Sequence, residues 1–247
     1  MKLHRYSVSK GETRLLVKSD AGGVENRISG AISEAREHIL SHVDRFPDFR
    51  WSLEPVERPD APLPWFIGSM YEAGRLAGVG PFASIAGVLA HVAALAAVEA
   101  GASSVIVENG GDLCLHGSGP FTVGIYAGDS PFSSLGFRVV PGGSFAGLCT
   151  SSGSVGSSVS LGEADAVTAF TPDSPAVADA LATSVCNAVR GPNGIQRGIE
   201  KAKRLGIGGV AIISGERMGA WGVLPDMVEV DRDGEDLVLD SEVHSRA

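Results

Sequence analysis

The alternation of apolar and polar positions divides the chain into helical and extended stretches. Residues 24–43 repeat at helical spacing, with Ile28, Ala31, Ile32, Ala35, Ile39 and Val43 on one face, so they predict an amphipathic helix. Residues 13–18 alternate as a strand, and a charged, strand-like segment begins the chain. Residues 47–64 hold several prolines and no period, which predicts an irregular connection, and 71–79 reads as a short helix or loop. The alanine-rich run 81–100 is apolar all round and predicts a buried helix, with Pro81 in its first turn and Gly101 closing it. Short strands follow at 104–108, 112–116, 121–126, 137–140, 144–149 and 166–170. Helices are expected at 175–190 and 194–205, then strands at 210–213, 220–223, 227–230 and 237–239. Helices and strands mix without βαβ alternation, which argues for an α+β fold with a largely antiparallel sheet and packed helices. No repeat or boundary divides the chain, so a single domain over 1–247 is expected.

Composition narrows the function classes. The chain carries 20 Lys+Arg against 29 Asp+Glu, a net charge of −9, with no basic stripe interleaved with aromatics, so no nucleic-acid partner is expected. Hydrophobic residues make up 44 %, enough for a large core. The run 81–100 contains His91 and Glu99 and is read as core rather than as a membrane span. The amino-terminal residues show no apolar signal region, and Cys114, Cys149 and Cys186 form no C-x-x-C pair, so a cytoplasmic, reducing setting is expected. The alanine-rich helix must pack closely against a neighbour, in this chain or in a second copy of a homo-oligomer.

Candidate chemistry gathers in four places. In Ala178-Asp179-Ala180-Leu181-Ala182-Thr183, Asp179 and Thr183 are four apart and share a helix face. One carboxylate and one hydroxyl there suit a hard cation that takes oxygen ligands; they equally suit a helix cap and a hydroxyl bonded back to the backbone. Asn109-Gly110-Gly111-Asp112 lies between two strands and is either a tight hairpin or a close approach to a ligand. Thr150-Ser151-Ser152-Gly153 closes another strand, as a hydroxyl-rich turn or a grip on phosphate or a ring edge. Residues 80–87 open a helix, whose N-terminus is a ready anion site. No P-loop or G-x-G-x-x-G loop occurs.

The order of these pieces over about residues 75–215 resembles the ApbE superfamily of flavin transferases, and more closely its compact UPF0280 group. The resemblance implies an ApbE-like (T-fold-like) fold and a Mg²⁺-dependent protein that processes FAD, by FMN transfer to a protein acceptor or by pyrophosphate cleavage. It implies a metal held by Asp179, Thr183 and a backbone carbonyl near Ala86, and a flavin or nucleotide pocket lined by Asn109 to Asp112 and Thr150 to Gly153. One departure stands out: no H-I-I-D-P-x-T-G segment lies between Gly153 and Ala178, where Gly156 to Ser160 take its place. No histidine occurs from His116 until His244, so Asp165, just before a strand, is either the replacement for that segment's catalytic histidine or a plain surface turn residue. Two other readings remain: the same scaffold working in sulfur (sulfide or homocysteine) metabolism through its cysteines, and a non-catalytic flavin- or nucleotide-binding module.

Overall fold

The computed structural model describes residues 3–128, 130–132, 134–153 and 161–230. Expectations for Gly156 to Ser160, for a strand at 237–239 and for His244 lie outside them.

Two antiparallel sheets and a layer of helices make up the fold. The large sheet has eight strands: β1 (His4–Lys10), β2 (Thr13–Ser19), β3 (Val105–Asn109), β4 (Asp112–His116), β7 (Phe145–Ser151), β8 (Ala166–Thr171), β9 (Gly209–Ser214) and β10 (Arg217–Gly222), adjacent in that order. The small sheet joins β5 (Phe121–Gly124), β6 (Leu135–Val139) and β11 (Asp226–Glu229), with β6 in the middle. Every ladder among these strands is antiparallel. Period-two alternation sends alternate residues to opposite faces. Val105, Val107, Cys114, Cys149, Val167 and Val210 face the helices, while Ile106, Leu113, Leu115, Leu148, Phe170 and Ile213 pack with Phe121, Val123 and Phe137 of the small sheet.

The helical layer holds α1 (Glu25–Arg45), α2 (Asp48–Trp51), α3 (Trp65–Ala77), α4 (Ile85–Glu99), α5 (Pro175–Ala188) and α6 (Gly194–Leu205). In α1, Ile28, Ile32, Ala35, Ile39 and His42 form the buried stripe. α4 is apolar all round because α1 and α5 cover it beside β3 and β4, so the long apolar run 81–100 packs within the chain. Pro81 opens a 3₁₀ turn, Pro81–Ser84, and the α-helix proper starts at Ile85. α3 begins at Trp65, earlier than the short helix expected at 71–79. Pro64, with extended backbone, precedes its first turn, and Phe66, Ile67 and Met70 join Tyr71 in the core. The irregular connection contains the four-residue α2, whose Phe49 is fully buried.

The seating of α5 fixes the site. Ser174 caps it, its Oγ accepting the Val177 N–H at 3.3 Å. Pro175 lies in a notch between two glycines. A Cβ on Gly87 of α4 would stand 2.4 Å from the Pro175 carbonyl oxygen, and one on Gly147 of β7 would stand 2.5 Å from the Pro175 Cα. Neither position admits a side chain, and their absence lets α4, α5 and β7 meet.

Candidate functional site

That junction brings together three of the four motif regions. The α4 N-terminus has no cap from its own chain segment. Asp179 supplies one from α5: its Oδ2 accepts the Gly87 N–H at 2.8 Å, and the Ala86 amide supports the same carboxylate. A carboxylate at a helix N-terminus is favoured by the unpaired amides and the helix dipole. The anion that the start of this helix was expected to attract is therefore the protein's own. Asn109, at the end of β3, donates from Nδ2 to the Ala86 carbonyl at 3.2 Å.

Gly110 and Gly111, with φ +66° and +100°, make the two-residue hairpin turn that pairs Asn109 with Asp112. The hairpin reading of N-G-G-D is thus correct as backbone. The turn also sets Asn109 and Asp112 side by side at the edge of the helical layer. Asp112 pairs across the sheet with Cys149, whose Sγ lies 3.6 Å from the Pro175 carbonyl oxygen.

Two carboxylates consequently share a desolvated spot. Burial, then the charge of Asp179, pushes the Asp112 carboxyl well above the usual range, against the lowering effect of hydrogen bonds from the Cys149 thiol and the Thr150 amide. Burial pushes Asp179 up to about 7, although the Gly87 and Ala86 amides favour its charged form. Among the described residues, no Lys or Arg forms an ion pair with either; the ion pairs are Arg27–Glu99, Arg36–Glu12 and Arg75–Glu72.

The remaining candidates are placed as follows. Thr183 is half-buried, one turn beyond Asp179 on α5. Thr150 turns to the opposite face of the sheet from Cys149, where its Oγ1 bonds the Thr168 Oγ1 at 2.9 Å, while its amide reaches the Gly111 carbonyl at 3.1 Å. Ser151 is buried, and its Oγ has no hydrogen-bond partner among the described residues. Ser152 is half-buried, and Gly153 bonds the Ala164 carbonyl through its amide at 3.0 Å. A Cβ on Gly153 would fall 1.9 Å from the Gly162 oxygen, so this glycine serves a close approach of two backbone segments. Asp165 stands apart from the carboxylate pair: its Oδ2 accepts the Gly215 N–H at 2.6 Å and ties the turn between β9 and β10. It immediately precedes β8, four residues from Ala169, the partner of Cys149, about 13 Å along the chain.

Cys114, Cys149 and Cys186 are all buried and unbridged. Burial raises the Cys114 thiol far above its ordinary value, and burial together with Asp112 and Asp179 raises Cys149, so both stay protonated at neutral pH. Cys186 lies under Gly162, at the far end of α5 from Pro175. These surroundings work against a low-pKa nucleophile at Cys114 or Cys149.

Sequence reasoning marked Asp112 only as a pocket-lining residue and did not foresee its carboxylate beside Asp179. It also missed the Gly87 amide as the partner of Asp179. The donor types suit a hard cation: two carboxylates neighbour each other, and a positive charge there would relieve the repulsion between them. Among the described residues no group of three or more His, Cys, Asp and Glu forms a metal cluster, so such a cation would draw on neutral oxygens as well.

A family model described as "AbpE bacteria" matches residues 1–205. A UPF0280 protein of Methanothermobacter thermautotrophicus is 38 % identical over 228 residues, covering 90 % of this chain and 87 % of that protein. A UPF0280 protein of Methanococcus aeolicus is 39 % identical over 231 residues, covering 91 % and 92 %. The crystal structure of the Pseudomonas stutzeri flavinyl transferase ApbE, apo form, superposes with a TM-score of 0.49 at 15 % identity over 89 % of this chain and 95 % of that one.

Proposed function

Since the chain belongs to the UPF0280 group of ApbE-like proteins, we propose that it is a Mg²⁺-dependent FAD-processing protein. It cleaves the FAD pyrophosphate or passes the FMN portion to a protein acceptor. The observation that carries this reading is the pair of desolvated carboxylates, Asp112 and Asp179, with no cationic side chain paired to either among the described residues. Folding alone gives no reason to place two such charges together.

The cation would be held by Asp179, the Ala86 carbonyl and Thr183, with Asp112 beside them. When bound, Mg²⁺ supplies charge stabilisation to a departing phosphate. The chain's own residues prepare the place. The Gly87 amide fixes the Asp179 carboxylate, which still has unused lone pairs. Asn109 fixes the Ala86 carbonyl from one side and leaves its second lone pair open. Gly110 and Gly111 carry no side chains, so a nucleotide can approach the turn closely. Without the cation, the pair keeps a proton on one carboxyl oxygen, which limits the repulsion between them.

A second reading, a flavin-holding protein without turnover, is favoured by the histidines. His116 stacks on Phe145 and bonds the Ser144 carbonyl through Nδ1, and His91 meets the same ring at a tilt. Neither interacts with the pair among the described residues.

The test is to incubate purified protein with FAD and Mg²⁺ and to follow AMP by mass spectrometry, with Asp179→Ala as control and Mg²⁺-dependent FAD binding as a parallel readout. Metal-dependent AMP from the wild type alone supports the enzyme. Metal-dependent binding without AMP supports the flavin-holding reading. Equal AMP from Asp179→Ala, or no FAD binding by the wild type, overturns the site.

A further inference from the structure

Positive charge dominates a concavity on this acidic chain. A groove of about 370 Å³ lies where the end of α5 meets α6, lined by Asn187, Ala188, Arg190, Arg197, Glu200 and Arg204. Arg197 and Arg204 are seven residues apart, so they share a face of α6 and stand about 10 Å apart along it. Arg190 approaches from the loop between the two helices. None of the three arginines forms an ion pair among the described residues. The one carboxylate in the groove, Glu200, accepts a hydrogen bond from the Gln196 Nε2 at 3.0 Å. The positive field is felt nearby: burial, then the charge of Arg204, lowers the pKa of Lys201.

We propose that this groove is an oligophosphate site, taking the di- or triphosphate group of a small molecule. Three guanidiniums lining one groove repel one another, and a chain with 29 acidic residues has the means to pair them at little cost. They remain unpaired around a concave volume of the size that small ligands occupy. The planar fork of arginine matches two phosphate oxygens at once, and three forks suit an anion of several charges better than a single carboxylate. Asn187 adds a neutral amide to the rim. The concavity favours a small anion over an acidic protein surface, which would meet the arginines on a broad, flat face. The groove is distinct from the carboxylate pair, because Asn187 lies eight residues beyond Asp179, about 12 Å along α5.

The experiment is calorimetric titration of the purified chain with inorganic tripolyphosphate at low salt, with a chelator present so that no divalent cation draws phosphate to Asp179. The wild type binds, and added sodium chloride weakens the binding. The double variant Arg197→Gln/Arg204→Gln loses about tenfold or more in affinity, as the loss of charge-assisted hydrogen bonds requires. Asp179→Ala binds as the wild type does, which separates this site from the proposed metal centre. Thermal melts of Arg197→Gln/Arg204→Gln, whose substituted side chains are both exposed, show that the fold is intact, and the melt of Asp179→Ala reads the loss of its cap separately. An ADP arm identifies the source: tighter binding than pyrophosphate means a nucleotide, and equal binding means the phosphates alone are read. No binding by the wild type overturns the proposal. So does unchanged binding in the double variant, equal loss in Asp179→Ala, or capture of an oligoglutamate peptide in place of tripolyphosphate.

Discussion

Replacing His91 with Phe should make the protein markedly less sensitive to acid. His91 lies on α4 between the rings of Trp65, 4.8 Å away between centroids, and Phe145, 4.6 Å away. Burial there, and then the charge of His116, lowers its pKa from 6.5 to about 4. The unfolded chain therefore takes up a proton on this imidazole before the folded chain does. Stability is untouched well above pH 6.5 and is lost as pH falls from 6.5 toward 4. At about 1.4 kcal/mol per pKa unit, the loss attributable to His91 near pH 4.5 is about 2–3 kcal/mol. For a chain of this size, that corresponds to roughly 5–10 °C in melting temperature. The phenyl ring of His91→Phe keeps the edge-on and tilted ring contacts and has no proton to gain. Urea unfolding of both proteins at about pH 7.5 and pH 4.5 isolates the effect, since the carboxylates that also titrate in this range are common to the two. The wild type should lose about 2–3 kcal/mol more than the variant. Equal losses, or a native-state imidazole titrating near 6.5 by NMR, would refute the argument.

Three further outcomes follow from the same geometry. Asp112→Asn removes a carboxyl whose folded pKa is raised, a group whose stabilising contribution is present at low pH and lost as pH rises. Metal-free Asp112→Asn should melt above the wild type at pH 8 and bind Mg²⁺ more weakly by calorimetry; a lower melting point would show that the charge is needed for folding. Gly87→Ala puts a Cβ 2.4 Å from the Pro175 oxygen and 2.9 Å from the Asp179 Cβ, so it should cost about 1–3 kcal/mol in urea unfolding, and an unchanged midpoint would show that α5 yields freely. The thiols of Cys114, Cys149 and Cys186 should alkylate slowly at pH 8 in the native protein and rapidly in denaturant, as mass spectrometry of a time course reads. Fast native labelling of Cys149 would restore the sulfur chemistry that its burial argues against.

Local pattern was enough to find most elements. β4 and α6 fall at the expected bounds, because the first follows a turn that only glycines make easily and the second is a polar helix with Gly194, Gly198 and Ala202 buried at four-residue spacing. The first turns of α3 are not legible in the sequence because proline-rich residues lead into them, and Pro64 reads as the end of a loop rather than as the start of a helix. The arginine groove was invisible for a similar reason: Arg190 comes from a loop, and Arg197 and Arg204 are two turns apart, so no run of basic residues announces it. The carboxylate pair depends on longer-range facts still. Asp112 meets Cys149 by strand register, and Pro175 is seated by two glycines sixty residues apart in sequence. Only then does Asp179 arrive beside Asp112.

The chemistry of that pair separates what holds the fold from what the fold is used for. Asp179 has a structural task, because the first amides of α4 need an acceptor and no residue of their own segment supplies one. Removing such a cap typically costs about 1 kcal/mol, so its presence alone argues for nothing beyond folding. Asp112 is different. The bonds it accepts from the Cys149 thiol and the Thr150 amide could be accepted equally well by the amide oxygen of an asparagine, which brings no charge into a desolvated space already holding one. A second carboxyl, which stays in that space only with a proton on the pair or a cation beside it, is thus a cost that hydrogen bonding does not explain. A cation shared between the two carboxylates would account for it, which makes Asp112, more than Asp179, the residue on which the functional reading turns.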